Sequence, residues 1–489
     1  MGNWLDNLIG FISPEAGYER TAWRQSLEEL RNYDAGDYGR LNAHWRALND
    51  SAEYTDRGSR DTVRARARDL ERNSDIANSV IGAYKRNVVG AGYNLQVKTG
   101  DEELNKQIEK LWKEWTKKIN CDVTATQSFN QIMRMVEQRK KVDGGILIHK
   151  VFTTGGMLPF KLQCLEVDEL DISQTMPKKS GNKVVGGIEL NEYNRAEGYW
   201  IKQYNLDGIN ISQPVYIEAK DMIFVFSKKR PSQIREISDM APTVSRIRDT
   251  NEFMTAVSVK ERIAACLSVF IKQATPTGGY GRTGTKDTKF NYDGKTLTPG
   301  MIKYLNPGDE VETVNPAGQA TDATSFVKLQ QRMIGAGQGI SYEATSRDMS
   351  ESNYSSARQG MIEDDLTYIE DKEMALEVAD EVYETFLISA VLAGVLQIED
   401  FWRNKDKYMN HEWIQEPKRW IDPAKESTAN KTALQTGQKT YKQIAAESGR
   451  DWRDQIDDMA EVLEYAREKG VELGGVMGNG KTTTAGSNQ

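Results

Sequence analysis

The sequence predicts an α+β fold, and three observations carry that prediction. Two stretches of helical periodicity, 59–89 and 104–136, precede a run of short strand-like segments between 145 and 226. Two further helices, one ending near 267 and one starting near 321, bracket a small β-containing insert. Residues 361–383 then continue without proline or glycine, as a long helix requires. Helices first, a small sheet next and long helices after it is an α+β order, not the alternation of a parallel βαβ sheet.

Residues 1–58 scatter Gly, Asp and Asn between Trp4, Trp23 and Trp45, and read as an arm ordered only against a neighbour. Ser59 is a plausible N-cap for a helix running through Arg72 to Val89, where Gly90-Ala91-Gly92 ends it. Its first half is basic, with Arg57, Arg60, Arg64, Arg66, Arg68 and Arg72 interleaved with Asp61, Asp69 and Glu71. Two readings are open there: a salt-bridged surface helix, or a contact for DNA or an assembly partner. Leu104, Ile108, Leu111, Trp112 and Trp115 keep amphipathic spacing, as do Phe129, Ile132, Met133 and Val136 behind the cap Ser128. Strands are expected at 145–152, 160–166, 184–190, 199–204 and 222–226.

Ser238-Asp239 with Pro242 opens a helix to about 267, roughly 40 Å long at 1.5 Å per residue. The stretch 275–300 is rich in Gly, Thr and Lys, and 301–305 and 310–314 look strand-like, so this is either a small folded insert or a surface loop. A second helix, 321–334, places Phe326, Leu329, Met333 and Ile334 on one face and stops at Gly335-x-Gly337-x-Gly339.

The most informative stretch follows. A short loop with Ser346-Arg347-Asp348 and Asn353-Tyr354-Ser355-Ser356-Ala357-Arg358 runs into the long helix. Ile362, Leu366, Ile369, Leu376, Tyr383 and Leu387 keep to one stripe, the expected buried face. On a neighbouring line Glu363, Glu370, Glu377 and Glu384 recur every seven residues, a spacing that drifts only about 20° per repeat. Residues 361–384 hold ten acidic side chains against Lys372, a net charge of −9 in a chain whose total is −8, so the remainder is close to neutral. That helix is either a solvated face paired to neighbouring cations, or the wall of a pore that repels a passing polyanion.

Trp402, Trp413 and Trp420, with Pro417 and Pro423, are expected to pack the returning segment 395–425 against the first domain. Residues 431–447 and 451–469 read as polar helices, and the tail from Gly470 as disordered.

Composition excludes more than it assigns. A chain of 489 residues exceeds one ordinary core, and with 38% hydrophobic and 28% charged residues it is polar for its length. An acidic balance argues against a protein that grips the DNA backbone by counterion release. Cys121, Cys164 and Cys266 lie far apart with no CxxC, which suits reduced, structural thiols and a bacterial cytoplasm. The longest apolar run, 386–398, is too short to span a bilayer, and no signal peptide is visible, so no membrane association is expected. His44, His149 and His411 are isolated from one another and from cysteine, and Asp168, Glu169 and Asp171 fit turns better than a metal site. No cofactor, metal or catalytic residue is expected. Gly475–Thr482 satisfies the string G-x-x-x-x-G-K-[ST], which would make the chain a nucleotide hydrolase, but it follows a helix-like stretch and precedes only seven residues.

In their order, several segments resemble the portal proteins of tailed bacteriophages, lambda-type family. They are Arg86-Asn87-Val88-Val89-Gly90-Ala91-Gly92, Ile263-Ala264-Ala265-Cys266 to Val269-Phe270-Ile271, Pro299-Gly300-Met301-Ile302-Lys303-Tyr304-Leu305-Asn306-Pro307-Gly308-Asp309-Glu310, Gly339-Ile340-Ser341-Tyr342-Glu343, Asn353-Tyr354-Ser355-Ser356-Ala357-Arg358, and Trp420-Ile421-Asp422-Pro423 with Lys425-Glu426. The resemblance runs from about 57 to 447 and implies a ring, usually a dodecamer, at one capsid vertex, with double-stranded DNA passing through it during packaging and ejection. It implies no enzymatic activity. Implied partners are terminase, the tail adaptor, and capsid and scaffolding proteins, met in a virion assembled in the bacterial host cytoplasm.

It also implies a domain plan: arm (1–58), wing (59–237, with 395–425 returning to it), first stem helix (238–272), clip (273–316), second stem helix (317–345), channel loop and channel helix (346–394), and crown with tail (426–489). By the same resemblance Arg347, Asp348, Asn353, Tyr354, Ser355, Ser356 and Arg358 form the DNA-channel loop. Glu363, Glu370, Glu377 and Glu384 line the channel, and Lys286, Lys289, Asp309 and Glu310 sit in the clip that docks terminase and adaptor. A DNA-binding assembly protein without a through-channel is the other non-enzymatic reading.

Overall fold

The structure, a computed structural model, describes residues 9, 11–29, 49–202, 213–266, 270–271, 303–304, 323–415 and 422–471. The clip residues Lys286, Lys289, Asp309 and Glu310, the side chain of Tyr354, and the glycine-lysine string 475–482 lie outside it. The chain divides into two compact units, Met1–Thr55 and Asp56–Gln489. The first carries helix α1 (Pro14–Glu29), which leaves Tyr18 and Trp23 exposed. The second is mixed α+β, dominated by helices with small sheets among them.

The expected helix 59–89 is broken. Helix α2 (Arg60–Asn73) stops at Ser74, whose backbone turns extended (φ −119°, ψ 125°) and whose hydroxyl accepts from Ala77 N at 3.3 Å to start α3 (Asp75–Tyr84). Serine competes for backbone groups, which makes it a cap rather than a helix interior residue. One π-turn, Lys85–Val89, then closes on Gly90 (φ 56°). The basic face of α2 resolves to the salt-bridged reading for Arg64 and Arg68, while Arg60 is held by a main-chain carbonyl. Arg60 Nε donates to Glu236 O at 2.9 Å, Arg64 meets Glu236 at 3.0 Å and Asp168 at 2.9 Å, and Arg68 meets Asp143 at 2.7 Å and Asp168 at 2.6 Å. Arg66 and Arg72 stay exposed.

Strand β1 (Tyr93–Val97) precedes α4 (Glu102–Trp115) and α5 (Phe129–Asp143). Gly144 ends α5 at φ 92°, where an added Cβ would lie 2.4 Å from the carbonyl carbon of Ile237, so no other residue fits. Strands β2 (Gly145–Phe152) and β3 (Phe160–Leu165) fall where expected. The single strand expected at 184–190 is instead a hairpin, β4 (Lys183–Val185) and β5 (Ile188–Leu190), because Gly186 and Gly187 both take positive φ. Strand β6 spans Ala196–Ile201, earlier than the expected 199–204. Strands β7 (Val215–Glu218) and β8 (Met222–Phe226) complete the region. Two antiparallel sheets result, β3-β2-β8 and β4-β5-β6-β7.

Helix α6 (Val244–Cys266) and helix α7 (Ala323–Gln338) pack on each other, with Phe253 and Phe326 rings 4.5 Å apart. Between them β9 (Phe270–Ile271) pairs in parallel with β10 (Lys303–Tyr304). One-turn helix α8 (Tyr342–Ser346) leads to α9 (Tyr354–Leu392), 39 residues and about 58 Å long. Strand β11 (His411–Gln415) returns to pair antiparallel with β1. Helices α10 (Pro423–Gln435), α11 (Tyr441–Glu447) and α12 (Trp452–Glu468) follow.

The main core is aromatic. Trp115 stacks on Phe160 (centroids 5.3 Å apart, 5° between planes) and donates its indole N–H to Phe160 O at 3.0 Å. Trp112 meets Phe386 at 5.0 Å, Tyr383 at 5.8 Å and Trp413 at 5.7 Å, so α4, α9 and β11 share one cluster. Trp413 therefore ties the returning segment to α4, whereas Trp402 is exposed and Trp420 lies outside the described residues. Cys121 and Cys164 are unpaired, and burial pushes both thiols up to about 12. Among the described residues no helix is long and apolar enough to cross a membrane, and no cluster could hold a metal ion. Asp168 serves Arg64 and Arg68, and Asp171 accepts from Ser173 and Gln174.

Candidate channel loop and acidic helix

The loop between α7 and α9 is held at its root by the helix it leads to. Gly339 takes φ +72°, its carbonyl accepts from Thr367 Oγ1 at 2.5 Å, and a Cβ there would press on Thr367 Cγ2 at 2.8 Å. Next to it Ser341 donates twice to Asp364, from N at 2.6 Å and from Oγ at 2.7 Å. Burial raises the Asp364 carboxyl, and these two bonds oppose that rise. The Ser341 hydroxyl also accepts from Ala344 N at 3.2 Å, capping α8.

Arg347 ends α8 in the left-handed region (φ 60°, ψ 17°), a conformation that costs a non-glycine residue about 1–2 kcal/mol. Its side chain is exposed. Asp348 accepts from Ser350 N at 3.0 Å and from the Tyr342 hydroxyl at 3.1 Å, and hydrogen bonding to Ser350 holds it below its usual value. Asn353 is the cap of α9. Its Oδ1 accepts from Ser356 N at 2.8 Å, and its N–H donates to Ser356 Oγ at 3.0 Å. Ser355 is exposed in the first turn. Arg358 lies 3.7 Å from Glu426 of α10.

Cations surround this loop. Lys328 and Arg332 of α7 reach Glu351 at 2.6 and 3.6 Å. Arg86, quoted above only for resemblance, has its guanidinium pKa lowered by burial and, next, by the positive charge of Arg347. Sequence reasoning missed Arg86 because some 260 residues separate it from Arg347.

Along α9, Glu363, Glu370, Glu377 and Glu384 are all exposed and share one outward arc. Glu363 accepts from Gln359 Nε2 at 2.9 Å, and Glu384 is ion-paired to Lys405 at 2.5 Å. Glu377 and Glu384 border an open recess of about 980 Å³ with Lys150, Phe152 and Lys220. Glu370 borders one of about 560 Å³ with Lys228 and Lys229.

The buried face of α9 differs from the expected stripe. Ile362, Leu366 and Ile369 are 47%, 59% and 43% exposed, while Asp364, Tyr368, Asp371 and Ala375 are buried. Farther along, Tyr383 and Leu387 are buried as expected. The reason is that the inward acids have partners. Asp364 has Ser341, and Asp371 has Lys140 and, at 3.5 Å, Lys141. Lys140 also lies 3.3 Å from Asp239, and Lys141 sits 3.3 Å over the Tyr84 ring. The Tyr84 hydroxyl donates to Gln338 O, and Gln338 Nε2 donates to Thr243 Oγ1 at 2.9 Å. Helices α3, α5, α7 and α9 and the segment entering α6 thus meet in one buried polar knot. Satisfied charges are tolerated inside where lone ones are not.

The family model "Phage portal protein, lambda family" matches residues 38–371. The "Probable portal protein" of Halomonas phage phiHAP-1 is 26% identical over 457 residues, covering 90% of this chain and 88% of its own. "Portal protein B" of Escherichia phage lambda is 22% identical, covering 88% of this chain and 89% of its own, and the "Portal protein" of Escherichia phage N15 is 21% identical with the same coverage. Among solved structures, the neck of an empty gene transfer agent (GTA) particle aligns at 14% identity and TM-score 0.42, covering 84% of this chain and 99% of that one. The chain belongs to the lambda family of phage portal proteins, structural and non-enzymatic parts of the phage particle that form ring oligomers and connect head to tail.

Proposed function

We propose that twelve copies of this chain close a ring at one capsid vertex. Double-stranded DNA passes through the ring during packaging and ejection, and terminase and then the tail adaptor dock at its clip. The wing would comprise α2–α5 with the sheets β1–β8 and β11, the stem α6 and α7, the channel loop 347–353 with helix α9, and the crown α10–α12. Capsid and scaffolding proteins would meet the wing and crown.

The observation that carries this reading is the row Glu363, Glu370, Glu377 and Glu384, exposed along about 32 Å of one helix. Repeated around a ring, such rows repel phosphates and keep DNA centred and mobile. Arg347, exposed on the loop, supplies a brief contact that salt can screen. Replacing the four glutamates by glutamine is expected to give rings that hold DNA more tightly and package less. Unchanged packaging together with unchanged DNA affinity would rule out the electrostatic role.

A further inference from the structure

We propose that the apolar strip Ile362, Leu366 and Ile369 on α9 is a seam between copies, and that it seats on the strip Leu329, Arg332 and Met333 on α7 of the adjacent copy. This rests on the ring reading above and names its contact.

Ile362, Leu366 and Ile369 step by four and three residues, so they form one ridge over two turns, on the side of α9 turned away from Asp364, Tyr368, Asp371 and Ala375. A face bathed by water and sliding phosphates has no use for three large half-exposed aliphatic side chains in line. Removing them from water is favourable only if something apolar covers them. Leu329 and Met333 make a second ridge, 54% and 46% exposed, on the side of α7 opposite Ile334, Gly335 and Gln338, which are buried.

Charge decides that the two ridges are mates. Glu373, exposed one turn past Ile369, continues the α9 ridge, whereas Arg332, 56% exposed and 3.6 Å from Glu351 of its own chain, flanks the α7 ridge. A like pairing of α9 with α9 would bring glutamates face to face, and pairing with α7 brings them to a guanidinium. Two different patches on one chain make a head-to-tail contact, the kind that closes into a ring. Each is a short helical ridge of the kind that packs into the groove of a facing helix.

The test is a cysteine pair in the full-length protein, Leu366→Cys with Met333→Cys, oxidised and run without reductant. The expected result is a ladder of covalent multimers up to the ring, absent from either single variant. A ladder from L366C alone would mean α9 meets α9 and would overturn the pairing. Rings by sedimentation without any ladder would overturn the seam while leaving the ring reading intact. A wild-type protein that never assembles would overturn both. As a second arm, Leu366→Glu, exposed in the subunit, should leave subunit melting unchanged and lower the ring fraction at least tenfold. A ring fraction equal to wild type counts against the seam.

Discussion

Lys140 of α5 and Asp371 of α9 form an ion pair in which both side chains are less than a tenth exposed, and Asp239 supplies a second carboxylate to the same ammonium at 3.3 Å. Such a pair holds the long acidic helix α9 to α5. Asp371→Asn or Lys140→Met alone is expected to destabilise the subunit by less than the roughly 3–5 kcal/mol of a fully orphaned buried charge, because Asp239 still faces Lys140 and Lys141 still faces Asp371. The double variant K140M/D371L should recover most of that loss. Denaturant unfolding of the isolated subunit reads all three, and singles that cost no more than the double would show that the pair is not coupled.

Glu137, one turn before Lys140, makes stability depend on pH. Desolvation pushes its carboxyl up to about 7, with Asp371 and Asp239 raising it further and Lys140 and Lys141 opposing, and its Oε1 is buried without a hydrogen-bond partner among the described residues. Between the ordinary carboxyl range and pH 7 the folded chain holds a proton that the unfolded chain releases, so stability falls as pH rises through that window. Glu137→Gln removes the slope. It should stabilise the protein at pH 8 by up to about 3 kcal/mol and by little at pH 4.5, as melting curves at the two pH values will show.

The loop root offers a sharper test. Asp364→Ala takes both acceptors from Ser341 and is expected to cost about 1–3 kcal/mol. It should also open residues 347–353 to protease, while Asp364→Asn retains part of the protection. Equal cleavage of all three proteins would show that the loop is held elsewhere.

Arg347 stands where glycine is conformationally favoured. Arg347→Gly relieves the left-handed strain but gives the unfolded chain more freedom, so stability should move by less than about 1 kcal/mol. DNA retention at low salt should nevertheless fall. A variant as retentive as wild type would remove Arg347 from the channel contact.

How much of this was legible beforehand depends on the scale of the interaction. Strands β2, β3 and β8 and helices α4, α5 and α7 follow from local period and caps, whereas α6 opens at Val244, six residues after the expected Ser238. Strands β1 and β11 were not foreseen, since each is stabilised by a partner more than 300 residues away. The break at Ser74 and the hairpin at Gly186-Gly187 turn on single residues inside strongly periodic stretches. The misassigned face of α9 is the most instructive case. Hydrophobicity alone puts Ile362 and Leu366 inward, and it takes Lys140, Lys141 and Ser341 arriving from distant segments to make Asp364 and Asp371 the buried side. The glutamate row was visible because a seven-residue repeat is a property of the helix itself. The influence of Arg347 on the Arg86 guanidinium was not, because an electrostatic effect across the fold leaves no mark on spacing in the chain.

The pairing of Tyr93 with Gln415 has a consequence for biosynthesis. At about 5–20 residues per second, a ribosome needs roughly 16–64 s to travel from one of these strands to the other. For that interval β1 waits without its mate, and the indoles of Trp112 and Trp115 wait for the rings that Tyr383, Phe386 and Trp413 will bring. Closure of this core therefore waits until residue 415 has been made, and a nascent chain shorter than that presents β1 and the two indoles without their partners.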